Sequence, residues 1–203
     1  MTHGIVRAVE ATTTLRERKK AATRQALHEA VLRLAVTHGL DTVTVDAIVE
    51  EANVSKRTFS NYFANKEDAL LYGDRLRIEA LLDEIRSRPP DESAWEALTR
   101  GTAARYARLD QVDPAWLAQL QLIRRHPSLL AQQHATQAAL ERDLAQAILP
   151  RLPEPSLVHA RILAAIFLAT LRTVHSMWVE DPTGTPLSTA VLNGLARAAE
   201  PFR

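Results

Sequence analysis

Residues 54–71 read VSKRTFSNYFANKEDALL. Ser55, Lys56, Arg57, Thr58, Ser60 and Asn61 crowd here around Phe59, Tyr62 and Phe63. A core helix does not keep so many donors and acceptors, because each one left unpaired inside the protein costs stability. A solvated helix has no use for the aromatics. Both facts are met if the aromatics fasten a short helix to a scaffold while the polar side chains face a polar partner. Upstream, Thr44 is a good N-cap for a helix over 45–52 that turns Val45, Ile48, Val49 and Ala52 inward. Asn53 tolerates the left-handed backbone of a tight turn, and Ser55 caps the next helix over 55–62. A longer helix over 15–37 offers Leu27, Ala30, Val31, Leu34 and Ala35 on one face, with Gly39 just past its end. Two short helices joined by a turn and packed on a third make a helix-turn-helix.

The outer face of 55–62 has the chemistry of a groove reader. Lys56 or Arg57 can meet guanine O6 and N7, Asn61 can pair with adenine, and Ser55 and Ser60 add hydroxyls. Thr44, Thr58, Tyr62 and Lys66 can hold phosphates and fix the register. The run RERKK at 16–20, with Arg24 a turn further on, adds local positive charge. That local patch has to carry any DNA binding, because the net charge of the 203 residues is only +1.

The composition, 46% hydrophobic and 24% charged, belongs to a folded globular chain. Cysteine is absent, which removes disulfides, thiolate metal sites and cysteine nucleophiles and suits a cytoplasmic location. MTHGIVRAVEATTT lacks the apolar stretch of an export signal. The most apolar run, IFLATL at 166–171, is far short of a membrane span. Helical periodicity runs throughout, predicting an all-α fold. After a tail over 1–12, nine helices are expected at about 15–37, 45–52, 55–62, 66–87, 92–109, 114–125, 128–149, 156–180 and 186–200. Asp113-Pro114 and Thr185-Pro186 both read as a cap followed by proline at the first helical position.

The residues from Arg24 to Leu71 resemble the DNA-binding domain of the TetR family of transcriptional regulators. The resemblance is carried by GLDTVTVDAIVEEANVSKRTFSNYFANKEDALL, above all Thr44, Ile48, Ala52, Val54-Ser55, Thr58, Tyr62-Phe63 and Lys66-Glu67. Asn53 stands where the family usually has Gly, Val49 where it has Ala, and Arg57 where a small residue is frequent. The resemblance implies a DNA-binding domain over 13–65 and a helical effector-binding and dimerisation domain over 66–203. It also implies a dimer on palindromic double-stranded DNA and release when a small molecule binds, through a shift of the 66–87 helix. Repression is the expected outcome.

Within 66–203 the large side chains offered for a mostly apolar effector pocket are Trp95, Tyr106, Trp116, Leu120, Ile123, His126, Phe167, Leu171, His175 and Trp178. Each aromatic taken singly reads first as ordinary core, His126 as a helix-end residue and His175 as a satisfied core histidine. The helix over 156–180 is apolar on nearly every face, and Leu187, Val191, Leu192 and Leu195 give the last helix a stripe. Together the two can form a four-helix interface with a second copy, or simply complete the chain's own core. LIRRHPSLLAQQHATQAALERDLAQAI resembles a subgroup with acyl-CoA-like effectors, in which Arg124 and Arg125 would meet phosphates; both also read as a solvated basic helix end. No nucleophile elbow, phosphate loop or paired-histidine metal motif is present, so no enzyme, metal or cofactor is expected. The alternative reading is a helical small-molecule binding protein whose DNA-reading face is vestigial.

Overall fold

The structure is a computed structural model that describes residues 14–108, 113–182 and 184–200, apart from the side chains of 134–136. The predicted tail over 1–12 lies outside the described residues. Among those described there are ten α-helices and no strand. They are α1 (Leu15–His38), α2 (Val45–Glu51), α3 (Lys56–Ser60), α4 (Lys66–Leu70), α5 (Tyr72–Arg86), α6 (Ala94–Ala107), α7 (Pro114–Arg125), α8 (Pro127–Ile148), α9 (Leu157–Glu180) and α10 (Leu187–Ala198).

Local chemistry sets most of these ends. Thr14 and Glu17 form a capping box at the start of α1, and Gly39 closes it with φ +84°, a left-handed conformation that suits glycine. Thr44, Ser55, Asn65 and Ser93 cap α2, α3, α4 and α6 by accepting from the third amide on. Asp113 caps α7 and Pro114 follows at its first position. The second predicted pair differs. Pro186 itself occupies the cap position of α10 without a side-chain bond, and the Thr185 carbonyl accepts from the Trp178 indole at 2.7 Å.

A second difference lies in the predicted helix over 66–87, which breaks at Leu71 into α4 and α5. Side chains from two other helices take carbonyls at the break. His28 of α1 bonds the Ala69 carbonyl at 3.0 Å, and Gln119 of α7 donates to the Leu70 carbonyl at 2.9 Å.

Two hydrophobic cores result. The first joins Leu27, Val31, Ile48, Phe59, Phe63, Leu70 and Leu71 with Ile123 of α7 and Leu129 of α8. The second gathers Leu82, Ile85, Leu98, Leu144, Phe167, Leu168 and Leu195 from α5, α6, α8, α9 and α10. By length and composition α9 could cross a membrane, with mean hydropathy 1.6 over its best window, a feature that the short IFLATL run alone does not reveal. In the fold it is a core helix on one side, where Ala160, Ala164 and Phe167 are fully buried.

Lys66, a predicted phosphate contact, is placed differently by the structure. Its ammonium donates to the carbonyls of Leu40 at 2.7 Å and Val43 at 3.0 Å, just after α1. Those carbonyls flank a short 3₁₀ turn, and of the two only the Leu40 carbonyl has a backbone donor among the described residues, the Val43 amide at 3.2 Å. Lys66→Met is expected to lower unfolding free energy by about 1–3 kcal/mol, the usual loss for charge-assisted hydrogen bonds to half-buried carbonyls. Urea denaturation measures it, and an unchanged midpoint would contradict this structural role.

Candidate functional site

α2 and α3 meet through a turn in which Asn53 adopts φ +51°, and the Val54 amide donates back to the Val49 carbonyl at 2.9 Å. Phe59 and Phe63 are buried with ring centroids 5.9 Å apart, and Tyr72 packs on Phe63 at 5.6 Å. Two aromatics thus anchor a helix of five residues that is too short to hold itself.

The opposite face stays open. Ser55, Lys56, Arg57, Ser60 and Asn61 are exposed, Thr44 is exposed at the start of α2, and Thr58 and Tyr62 are half-buried. Ser55 and Thr58 are linked through their hydroxyls at 2.9 Å while Ser55 caps the helix. The Arg24 guanidinium lies 5.3 Å from the centre of the Tyr62 ring. Beside it runs a surface groove lined by Leu15, Arg16, Lys19, Lys20, Thr23 and Tyr62, with no acidic residue among them. Nine of the ten predicted DNA-face residues are therefore exposed or half-buried around α1, α2 and α3, while the Lys66 ammonium is taken up by the scaffold. Asp46 was not foreseen: it forms an ion pair with Lys56 across the α2–α3 angle.

In the remainder of the chain a cavity of about 640 Å³ opens between α5, α7, α8 and α9. Leu120, Ile123, Leu171 and His175 of the predicted pocket line it. Tyr106 and Trp116 stand behind: the Tyr106 hydroxyl bonds His175 Nε2 at 2.6 Å, and the Trp116 ring centre lies 5.7 Å from that of His175. The other four lie elsewhere. Phe167 is fully buried in the second core, Trp95 packs against that core, and Trp178 holds the α9–α10 loop. His126 sits at the α7–α8 joint, 3.8 Å from the Asp41 carboxylate. Sequence reasoning missed Asp74 and Ile78 on α5 and Gln133, Gln137 and Leu140 on α8. The signal was there for α5, since Asp74 and Ile78 are one helical turn apart on a face shared with Ile85.

Two family models cover most of this chain. One, described as bacterial regulatory proteins of the tetR family, matches residues 27–72; the other, described as the MftR C-terminal domain, matches residues 92–203. A curated relative, the HTH-type transcriptional regulator TcmR of Streptomyces glaucescens, is 32% identical over 172 residues, or 81% of this chain and 76% of TcmR. The chain belongs to the TetR family.

Solved TetR-type structures share the fold. FadR from Bacillus subtilis, a transcriptional regulator solved with stearoyl-CoA, superposes with a TM-score of 0.60 over 88% of this chain and 99% of its own, at 19% identity. Thermus thermophilus FadR, a TetR-family repressor solved with lauroyl-CoA, gives 0.55 over 89% and 96%, at 21% identity.

In this TetR-family chain the cavity and the DNA-reading head touch directly. Ile123 lines the cavity and also belongs to the first core. Asp74, on the cavity wall, follows Gly73, and a Cβ at Gly73 would lie 2.5 Å from His28 Nε2 and 3.2 Å from Gln119 Oε1. Only glycine lets these two side chains reach the α4 carbonyls. Gln119 in turn accepts from Arg77 at 2.8 Å, and the Arg77 guanidinium lies 5.0 Å from the centre of the Trp116 ring. Arg77, Gln119 and the Leu70 carbonyl are thus linked by hydrogen bonds, and His28 of α1 bonds the neighbouring Ala69 carbonyl.

Burial governs the titration of this region. It pushes Asp74 up and Tyr106 up, and it pushes His28 down. His175 falls to about 4, mainly through burial and secondarily through the charge of Arg77. A histidine that resists protonation in the fold but not in the unfolded chain makes the unfolded state bind more protons between its two pKa values. His175 stability is therefore complete above pH 6.5 and is lost as pH falls towards about 4. That loss approaches about 3 kcal/mol at the acid end of the window. His28 acts in the same direction. Asp74 opposes both, since a carboxyl held protonated contributes most at low pH. His175→Phe is expected to flatten unfolding free energy against pH between 6.5 and 4, measured by urea titrations across that range; parallel curves would rule out this coupling.

Proposed function

We propose that this TetR-family regulator is a cytoplasmic homodimeric repressor that reads a palindromic operator with α3 and releases it when an apolar effector fills the α5–α9 cavity. The observation that carries the reading is the division of α3, whose aromatic side is buried and whose polar, basic side is open beside the basic start of α1. Lys56, Arg57 and Asn61 are the base readers, with Ser55 and Ser60 supplementary. Arg24, Thr44, Thr58 and Tyr62 hold the backbone.

A single five-residue helix grips few base pairs, so two copies related by a two-fold axis are needed. α9 supports the pairing. Val158, Ile162, Ile166 and Met177 fall on one face of that helix and are 70%, 52%, 40% and 66% exposed. The stripe, together with α10, forms the four-helix contact of the dimer. Ile162→Glu puts an unpaired charge into that contact and is expected to weaken association by on the order of a hundredfold or more. Sedimentation equilibrium reads it, and an unchanged dimer would place the interface elsewhere.

The effector acts through the α4–α5 joint, tilting the head and altering the spacing of the two α3 helices. An acyl-CoA is one such effector. FadR from Bacillus subtilis and from Thermus thermophilus were solved with acyl-CoA, and here Arg124 lies at the cavity rim. Footprinting on DNA flanking the chain's own gene is expected to show a protected palindrome that weakens with added salt. Lys56→Ala and Arg57→Ala should each weaken it by about tenfold or more. A folded dimer that protects no palindrome there or in a genome-wide selection, yet binds ligand, would instead indicate a small-molecule carrier.

A further inference from the structure

The cavity is lined mostly by hydrocarbon: Ile78, Leu140, Leu168 and Leu171 form much of its wall. Its inner polar groups are few and unusual. Asp74 and His175 are ringed by protein yet keep accessible surface, and both line the cavity. One carboxylate oxygen of Asp74 accepts from Gln133 Nε2 at 3.2 Å, the long end of the range for such a bond. The second oxygen takes no hydrogen bond among the described residues. His175 Nε2 is occupied by Tyr106, while Nδ1 bonds nothing among the described residues.

Charge is distributed unevenly over the cavity. Burial pushes Asp74 towards its protonated form and His175 towards its neutral one, so charge is disfavoured at the inner end. The lining cations, Arg124 and Arg172, are exposed and already engage Glu180 at 2.7 Å and Gln137 at 3.3 Å. An anionic group on a ligand therefore finds its partners at the rim. A plain hydrocarbon tip at the inner end would strip water from Asp74 and His175 and return no bond. Leaving a buried polar atom unpaired in this way lowers affinity by roughly tenfold or more.

We propose that the cavity takes an apolar ligand carrying an uncharged hydrogen-bonding group, a hydroxyl above all, at the end that reaches Asp74 and His175. This rests on the reading of the cavity as the effector site. With the ring proton on Nδ1, the ligand oxygen accepts from it while the hydroxyl donates to the open Asp74 oxygen; with the proton on Nε2, the hydroxyl donates to Nδ1 and accepts from the protonated Asp74 carboxyl. The site selects by hydrogen bonding against an isostere of the same bulk, which apolar walls alone do poorly.

The test is calorimetric titration of the full chain with 1-decanol and with decyl methyl ether, which keeps the oxygen and loses the donor. The alcohol is expected to bind at least about tenfold tighter. Asp74→Leu should abolish the preference and strengthen ether binding, while Asp74→Asn should keep a preference for the alcohol. Equal binding of the two compounds by the wild-type chain overturns the proposal and leaves the apolar effector cavity standing. A preference that survives Asp74→Leu in a folded protein overturns it too. If Asp74→Leu does not fold, the wild-type ratio and the Asp74→Asn ratio still decide. Binding of neither compound overturns both the proposal and the effector reading beneath it.

Discussion

Two backbone carbonyls, those of Ala69 and Leu70, are bonded from outside their own helix, and much of the architecture hangs on that. His28 reaches one from α1 and Gln119 reaches the other from α7. Because both partners arrive at the same turn, α4 ends there and α5 starts again after Leu71. The reading head is thereby tied to two helices at once, one belonging to its own core and one to the cavity. Buried side-chain bonds of this kind are costly to leave half made, so the joint has well-defined geometries rather than a continuum. A ligand that displaces α7 or α5 pulls on the same two bonds.

The two ends of the molecule solve opposite problems with similar means. On α3, aromatic anchoring frees the polar groups to face outward, and Ser55 and Thr44 combine capping with exposure. In the cavity, apolar walls surround a small set of polar groups whose charged forms burial disfavours. At the first site charge is wanted and lies in solvent, where Asp46 trims it beside Lys56. At the second, charge is confined to the rim, where Arg124 and Arg172 can remain solvated. The difference follows from the cost of desolvation rather than from residue type.

What the sequence made legible was local. Caps at Thr44, Ser55 and Asp113, the turn at Asn53, Gly39 and the apolar periodicities of α1 and α9 all act within a few residues, and all lie where their chemistry puts them. The all-α fold and the outward face of α3 follow from them. The break at Leu71 was not legible, because its causes lie 41 and 49 residues away in the chain. The hold on Lys66 was not legible for the same reason, since the Leu40 and Val43 carbonyls that accept from it lie 26 and 23 residues earlier in the chain. The cavity was half legible. Large aromatics drew the reading towards Trp95, Phe167 and Trp178, but aromatic bulk marks cores as readily as pockets. The smaller residues that open the space, Gln133, Gln137 and Asp74, carry no comparable signature.

Ile123 and Leu129 belong to helices of the larger domain, yet they sit inside the first core beside Val31 and Leu70. The reading head is therefore not a self-contained module that recombination could splice onto any helical body. A graft cut at Leu71 would leave an apolar gap where those two side chains insert, and the Leu70 carbonyl without the glutamine that donates to it. Changes to the exposed face of α3 leave that underside untouched, because Phe59 and Phe63 rather than the outer side chains hold the helix to the first core.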